Sequence, residues 1–439
     1  MNKLSILAAA LLAAVPLQAQ NLPWTLSQCI DYALDHNLTV KQNELNTAQR
    51  EIELNTAEAR RLPGVSGNAS QNFSFGRGLT ADNTYANTNT TSTGFSLGAD
   101  VPVFQGFQIK NNIALSKLNL AAATVDLEKA RDDIRVAVAQ AYVQILYDKE
   151  ILSVARRQVE IDSLQVVRLE EMARQGKASG AEVAAQQATL AQSRSTAVQA
   201  EGTLSLALLD LTQLLELPSP EGFDVVVPSA EALEPALLLS PEAIYAEAVE
   251  VKPAVEAEAI RLDYARTNID LAKGAFLPSL SLSGGVGSNY YTSSGIGSAR
   301  FIDQMKNNFS QYLGLSLSVP IFTRFSNRNG LRAAQLSYKS QELQLENVKK
   351  SLYKEIQQAY YNAVNAQEKY RSSQSAAASA QEAFRLTGAR YEHGQATGTE
   401  FNEAKARYLE AESNLARARY EQLYQSRLLD FYRGAALSF

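Results

Sequence analysis

The chain has 439 residues, a formal net charge of −5, one cysteine and two histidines. A balance so close to neutral points to no nucleic-acid partner. The lone Cys29 excludes an internal disulfide, and His36 and His393 stand far apart without metal-ligand spacing.

Residues 1–19 read as a secretory signal: a basic start, the apolar core LSILAAALLAAV and a small residue, Ala19, at the expected cleavage point. The mature chain is therefore expected outside the cytoplasm. Cys29 lies well past that point, so N-terminal lipidation is not expected and a small buried thiol on a helix is. No later apolar run reaches the ~18 residues of a membrane-spanning helix. The nearest, TLSLALLDLTQLLEL, is interrupted by Asp210, Gln213 and Glu216.

The predicted elements form two units of the same plan. Residues 20–216 hold a helix over Leu26–Arg61, strands at about 64–76 and 93–104, and a long helical run at about 105–175. A turn at about 176–179 and a helix over Gly180–Glu216 complete this unit. A Pro-rich linker occupies 217–240. Residues 241–439 then give a helix over Pro241–Ala275, strands at about 279–291 and 310–322, and a long run at about 323–393. A turn at about 394–397 and a helix over Gly398–Arg433 close the chain.

The order of markers indicates an internal repeat. An offset of 218 residues carries Gly176 onto Gly394, Val101-Pro102-Val103-Phe104 onto Val319-Pro320-Ile321-Phe322, and Ala141-Tyr142 onto Ala359-Tyr360. An offset of 215 carries Leu62-Pro63 onto Leu277-Pro278.

Both long runs carry coiled-coil spacing. From Ile134 to Ala173 the seam steps by four and three, broken in chemistry only by Asp148 and Asp162. The copy runs from Leu352 to Tyr391. At ~1.5 Å per residue a run of about 70 residues spans about 105 Å, and the two shorter helices of a unit together match it. Each unit thus makes two helical columns, and the chain four.

The strands alternate. Phe95, Leu97, Ala99, Val101 and Val103 face one way; Ser96, Gly98, Asp100 and Pro102 face the other. Leu313, Leu315, Leu317, Val319 and Ile321 oppose Gly314, Ser316 and Ser318. Each segment has about the 9–11 residues of a tilted membrane strand. Apart from Asp100 these polar faces are small and uncharged, which suits a water-filled lumen. The polar links GRGLTADNTYANTNT and TSSGIGSARFIDQMKNN read as outer loops. Four strands cannot close a barrel, whose smallest forms have about eight, so chains must share one: two copies or three.

This organisation resembles the outer-membrane efflux protein family, the TolC-like channels, over roughly Leu26–Arg433. Its carriers are Leu62-Pro63 and Leu277-Pro278, Val-Pro-Val-Phe and Val-Pro-Ile-Phe, the turns at Gly176 and Gly394, and ARYLEAESNLARARYEQL after the second turn. The resemblance implies an α+β membrane protein: a homotrimer with a twelve-stranded outer-membrane β-barrel and a periplasmic α-helical coiled-coil barrel. It also implies a passive conduit docked at its periplasmic tip to an adaptor (membrane fusion) protein and an inner-membrane pump of the RND or ABC type. The two turns become that tip, with Gln175, Gly176, Lys177, Gly394 and Gln395 as docking candidates. Glu182 and Tyr391 fall where the family places a gate-closing hydrogen bond. Ala396 stands where the family often has an arginine, so a second such bond is not expected. Glu400 and Glu403 fall where acidic rings line the constriction.

Local chemistry offers other duties for these residues. Ser179-x-x-Glu182 and Thr397-x-x-Glu400 match the capping box. Glu403 can pair with Arg407 at i,i+4, worth ~0.3–0.5 kcal/mol. No nucleophile–base pair, phosphate loop, metal or cofactor motif stands out, so no enzyme is expected. The alternative, a trimeric coiled-coil structural or adhesin protein, fits poorly with strand pairs that interrupt the helices at matching points. The exported substrate is not written in these residues.

Overall fold

The computed structural model describes residues 23–79, 83–228, 238–294 and 297–438. The expected signal at 1–19 lies outside them, as do residues 229–237 of the expected linker. Among the described residues the order is α1 (Leu26–His36), α2 (Leu38–Ala59), β1 (Gly64–Leu79), β2 (Tyr85–Gln105), α3 (Gln108–Arg174) and α4 (Gly180–Leu214). Then follow α5 (Pro241–Val251), α6 (Pro253–Gly274), β3 (Ser279–Ser293), α7 (Phe301–Asn307), β4 (Ser310–Ser318), α8 (Ser326–Glu392) and α9 (Gly398–Tyr432). They fall into two units, one helical and one carrying the sheet. The first holds residues up to Glu44, Asp126–Val255 and Lys349 onward; the second holds Leu45–Val125 and Glu256–Val348.

The helical unit closes on an apolar core. Val138, Ile145 and Leu146 of α3, Leu211 of α4, Val40 of α2 and Leu423 of α9 are at most 2% exposed. A short parallel bridge joins Trp24 to Val225 over this core. Tyr142 fixes it from below, donating its hydroxyl to the Val226 carbonyl at 2.6 Å. Cys29 is fully buried on α1, and burial pushes its thiol up to about 12.

The segment read as one helix over Leu26–Arg61 is two, and so is Pro241–Ala275. Each break has a chemical cause. Asn37 takes extended backbone (ψ 131°), donates to the Leu214 carbonyl at 3.0 Å and accepts from the Thr39 N–H at 2.9 Å. Its amide thus ends one helix and caps the next. At the second break Lys252 precedes Pro253, and a residue before proline is pushed out of the helical region. Lys252 is buried, bonded to Asp132 at 3.2 Å and lying 3.6 Å from the Phe431 ring centroid.

The second unit carries one antiparallel sheet in the order β1-β2-β3-β4. Directly paired residues share a face. Val65, Ala99, Gly284 and Leu313 form one row; Val101, Leu282 and Leu315 form another on the same side. Gly98, Gly285 and Tyr312 lie on the opposite side with Ser66. Leu97, Leu313, Leu315 and Leu317 are between 59% and 80% exposed, an apolar face with nothing against it in the single chain.

Three strand boundaries differ from the sequence expectation. β2 begins at Tyr85 and β1 runs to Leu79, so most of the segment read as an outer loop is hairpin ladder. Val103 does not share the apolar face. The register shifts between Pro102 and Phe104, leaving Val103 as the bulged residue and bringing Phe104 opposite Leu280. Pro102 has no N–H for the ladder, and proline in sheets is confined to bulges and edges. β4 stops at Ser318, two residues before Pro320, instead of reaching 322. At the following junctions Phe107 and Phe325 both sit at φ 63°, uncommon for bulky residues. Each is braced edge-to-face by a neighbouring ring, Phe104 at 5.2 Å and Phe322 at 5.7 Å.

Leu211→Ala empties a fully buried site in the helical core and is expected to cost ~2–5 kcal/mol. Thermal unfolding of the purified chain, followed by helical circular dichroism, measures it; the exposed Leu206→Ala is the neutral comparison.

Candidate functional site

Each helical hairpin ends in the same local chemistry. After α3, Gly176 (φ 73°) donates its N–H to the Ala173 carbonyl at 2.9 Å, and Lys177 donates to Met172 at 2.8 Å. After α8, Gly394 (φ 72°) donates to Tyr391 at 3.1 Å and Gln395 to Arg390 at 2.8 Å. These pairs of bonds are Schellman caps. A Cβ at either glycine would meet nothing within 4 Å, so backbone angle and not space demands glycine.

The next helix is capped at once. The Ser179 N–H donates to Glu182 at 2.7 Å, and the Glu182 N–H returns a bond to Ser179 Oγ at 3.2 Å. Thr397 and Glu400 repeat this at 2.7 and 3.2 Å. Backbone and hydroxyl bonds from Ser179 hold the Glu182 carboxyl below its usual range, and those from Thr397 do the same for Glu400. Gln175, Gly176, Lys177, Gly394, Gln395 and Glu400 are exposed. Glu403 is exposed too, and among the described residues it forms no ion pair with Arg407.

Glu182 and Tyr391 are not brought together: among the described residues no hydrogen bond joins them. The carboxylate is committed to its own cap. The Tyr391 ring stacks on Phe401 at 5.0 Å and lies 4.8 Å beneath the Arg168 guanidinium. Phe401 meets Phe384 at 5.4 Å, and Phe384 stacks on Tyr408 at 5.4 Å. This aromatic ladder joins α8 to α9. Arg168 also donates to the last carbonyls of α8, Tyr391 at 3.5 Å and Glu392 at 3.4 Å, where the helix dipole is negative. Arg390 donates to the Gln395 carbonyl at 3.0 Å and steadies the second turn where Ala396 offers no side-chain donor.

Sequence reasoning missed Arg168, Arg390 and a buried group around Asp162 and Lys405. Two signals were present: Asp162 breaks the heptad seam of α3, and α9 carries the other. Lys405 stands between Phe401 and Leu409 in steps of four, on the buried stripe of α9.

The comparisons with known proteins follow the same plan. The model of the outer membrane efflux protein family matches residues 29–216 and 244–435. The chain belongs to that family. Outer membrane protein TolC of Vibrio cholerae is 31% identical over 185 residues, 42% of this chain and 41% of that protein, so the match spans less than half of that relative. Outer membrane protein OprJ of Pseudomonas aeruginosa is 23% identical over 376 residues, 84% of this chain and 75% of that one. Among solved structures, the Campylobacter jejuni CmeC outer membrane channel superposes with a TM-score of 0.78 at 18% identity, over 94% of this chain and 86% of that one. That likeness is one of fold.

Two outcomes follow for the turns. Gly176→Ala or Gly394→Ala forces an L-residue into the left-handed region and is expected to cost ~1–2 kcal/mol, read as a lower unfolding temperature. For the caps, Glu182 and Glu400 have folded values below the ordinary 4.5. Their contribution is therefore fully present above that value and is lost as pH falls through the lowered one. Amide exchange at the starts of α4 and α9, corrected for intrinsic rate, should stay flat down to about pH 4.5 and rise below it. Glu182→Gln and Glu400→Gln should remove that step.

Proposed function

We infer that this chain is an outer-membrane efflux channel, a passive conduit rather than an enzyme. The observation that carries the reading is the four-stranded sheet with one bare apolar face, an opposite face mostly of serine and glycine beside Asp100 and Tyr312, and two unpaired edges. That combination suits lipid outside, water inside and neighbouring copies at both edges. Three copies would close a barrel of twelve strands. Exposed Leu45 and Ile52 of α2, and Leu336 and Leu343 of α8, recur every seven residues on helices flanking the sheet in sequence. They supply coiled-coil knobs for the same copies.

The helical unit takes the periplasmic role. Its exposed turns, with Gln175, Gly176, Lys177, Gly394 and Gln395, carry the adaptor contact. Glu400 and Glu403 line the constriction, and Tyr391, held by Phe401 and Arg168, belongs to the gate. The adaptor joins the channel to an inner-membrane pump of the RND or ABC type, and residues 1–19 direct export. Selection of the cargo rests with the pump.

The test is reconstitution. Detergent-extracted protein should have the native mass of a trimer and should form conducting pores in planar bilayers; a stable monomer without pores defeats the reading. Leu315→Arg puts a charge on the apolar face, at a cost of ~2–4 kcal/mol near a bilayer midplane. It should strongly reduce heat-resistant trimer in outer-membrane fractions. Ser316→Arg, on the other face, should leave it near wild type.

A further inference from the structure

The strands of the sheet differ in length. β1 has 16 residues and β2 has 21, but β4 has only 9. β3 pairs with β4 as far as Gly287, opposite Ser310, and runs on to Ser293 without it. Along that stretch α7 takes the place of a strand. Gln304 accepts from the Tyr291 N–H at 2.9 Å and donates to the Tyr291 carbonyl at 3.0 Å, the two bonds that a paired strand residue exchanges. Asn308 donates to the Asn289 carbonyl at 2.7 Å. Ser288 donates its hydroxyl to the Met305 carbonyl at 2.7 Å, and the Phe301 ring meets Tyr290 edge-on at 5.1 Å. Ser288 and Tyr290 fall on the same side of β3 as Leu282 and Val286, so Phe301 lies on the apolar side of the sheet.

The same mismatch in length recurs where copies meet. The free edges are those of β1 and β4, so β4 of one copy continues into β1 of the next. Nine residues cannot cover sixteen, and at least seven residues of that β1 reach past β4. Setting Ser318 opposite Gly64 of the next copy aligns the strand ends nearest the helices and keeps polar face with polar face. Ser310 then falls opposite Asn72, and Phe73 and Phe75 stand level with Ser288 and Tyr290 on the apolar side. There they face α7. Phe73 and Phe75 on one copy, and Phe301, Ile302 and Phe309 on the other, are between 45% and 75% exposed in the single chain. Charge agrees as well. Arg77 follows Phe75 on the same side, Asp303 is exposed on α7, and among the described residues neither enters an ion pair.

We propose that α7 stands in for the missing part of β4 at the seam between copies, seating Phe73 and Phe75 of the next copy against Phe301, Ile302 and Phe309. This rests on the channel reading above. The seat buries aromatic surface where backbone pairing runs out, and it covers a strand edge that is otherwise open to foreign strands.

The experiment uses the full chain in outer-membrane fractions. Phe309→Cys is combined with Phe73→Cys and, separately, with Phe75→Cys. Within one chain these positions are three strand spacings apart, about 14 Å, beyond the ~7 Å between Cα atoms that a disulfide spans. Mild oxidation should therefore link neighbouring copies into covalent dimers and trimers through at least one pair, and the single variants should give none. A native-mass trimer in which both pairs stay unlinked overturns the seat and leaves the channel reading standing. A protein that stays monomeric removes both. If the cysteine variants do not assemble, coupling decides. Phe301→Ser with Ile302→Ser should lower the dissociation temperature of the trimer by several degrees, and Phe73→Ser with Phe75→Ser should do the same. Joined in one chain, the four changes should lower it little more than either pair alone, because the two sets of side chains touch. Fully additive losses mean that each set meets lipid by itself, and they overturn the seat.

Discussion

The outer flanks of β1 and β4 carry backbone N–H and C=O groups that bond to nothing in the sheet. Water can satisfy such groups, but hydrocarbon cannot, and each one left bare in lipid costs several kilocalories per mole. The sheet also presents leucines to the outside on one face and serines and glycines on the other. A sheet of this kind is stable in a bilayer only when further strands continue it on both sides. Under the channel reading proposed above, association of copies would be a condition of having the strands at all. A surface leucine such as Leu315 would then be no defect, because lipid would be the medium it meets.

The alternation of the strands was plain in the sequence because a period of two survives any loop length around it. What failed was decided by proline and by tertiary pairing. Pro102 withholds one N–H, the ladder slips by a residue, and Phe104 takes the row expected for Val103. The residues from 87 to 92 are polar on both faces, so no apolar alternation marks a strand there. They are extended because the β1 residues opposite are there to pair with them. The helix break at Asn37 was hidden for a similar reason. Asparagine is tolerated within helices, and only the Leu214 carbonyl, 177 positions away, shows why it stops one here.

The tips divide in the same manner. Ser179-x-x-Glu182 and Thr397-x-x-Glu400 are local motifs, and the structure forms both as the residues suggest. The partners of Tyr391 were not local. Phe401 and Arg168 come from two other helices, and an aromatic residue at a seam position carries no mark of which ring it will meet. Asp162 was visible only as a flaw in a heptad pattern. Its counterpart lies 243 positions on, and two charges at seam positions of different helices look like two separate faults until they are seen to meet.

Cys29 has a practical consequence. It is the only sulfhydryl in 439 residues, it is fully buried on α1, and its thiol is shifted to about 12. At neutral pH almost none of it is thiolate, the form that reacts with maleimides, iodoacetamides and disulfide reagents. The native chain is thus chemically silent toward probes that read cysteine. A spin label or fluorophore attached through a newly introduced surface cysteine would report from that position alone, with the wild-type sequence as its own blank.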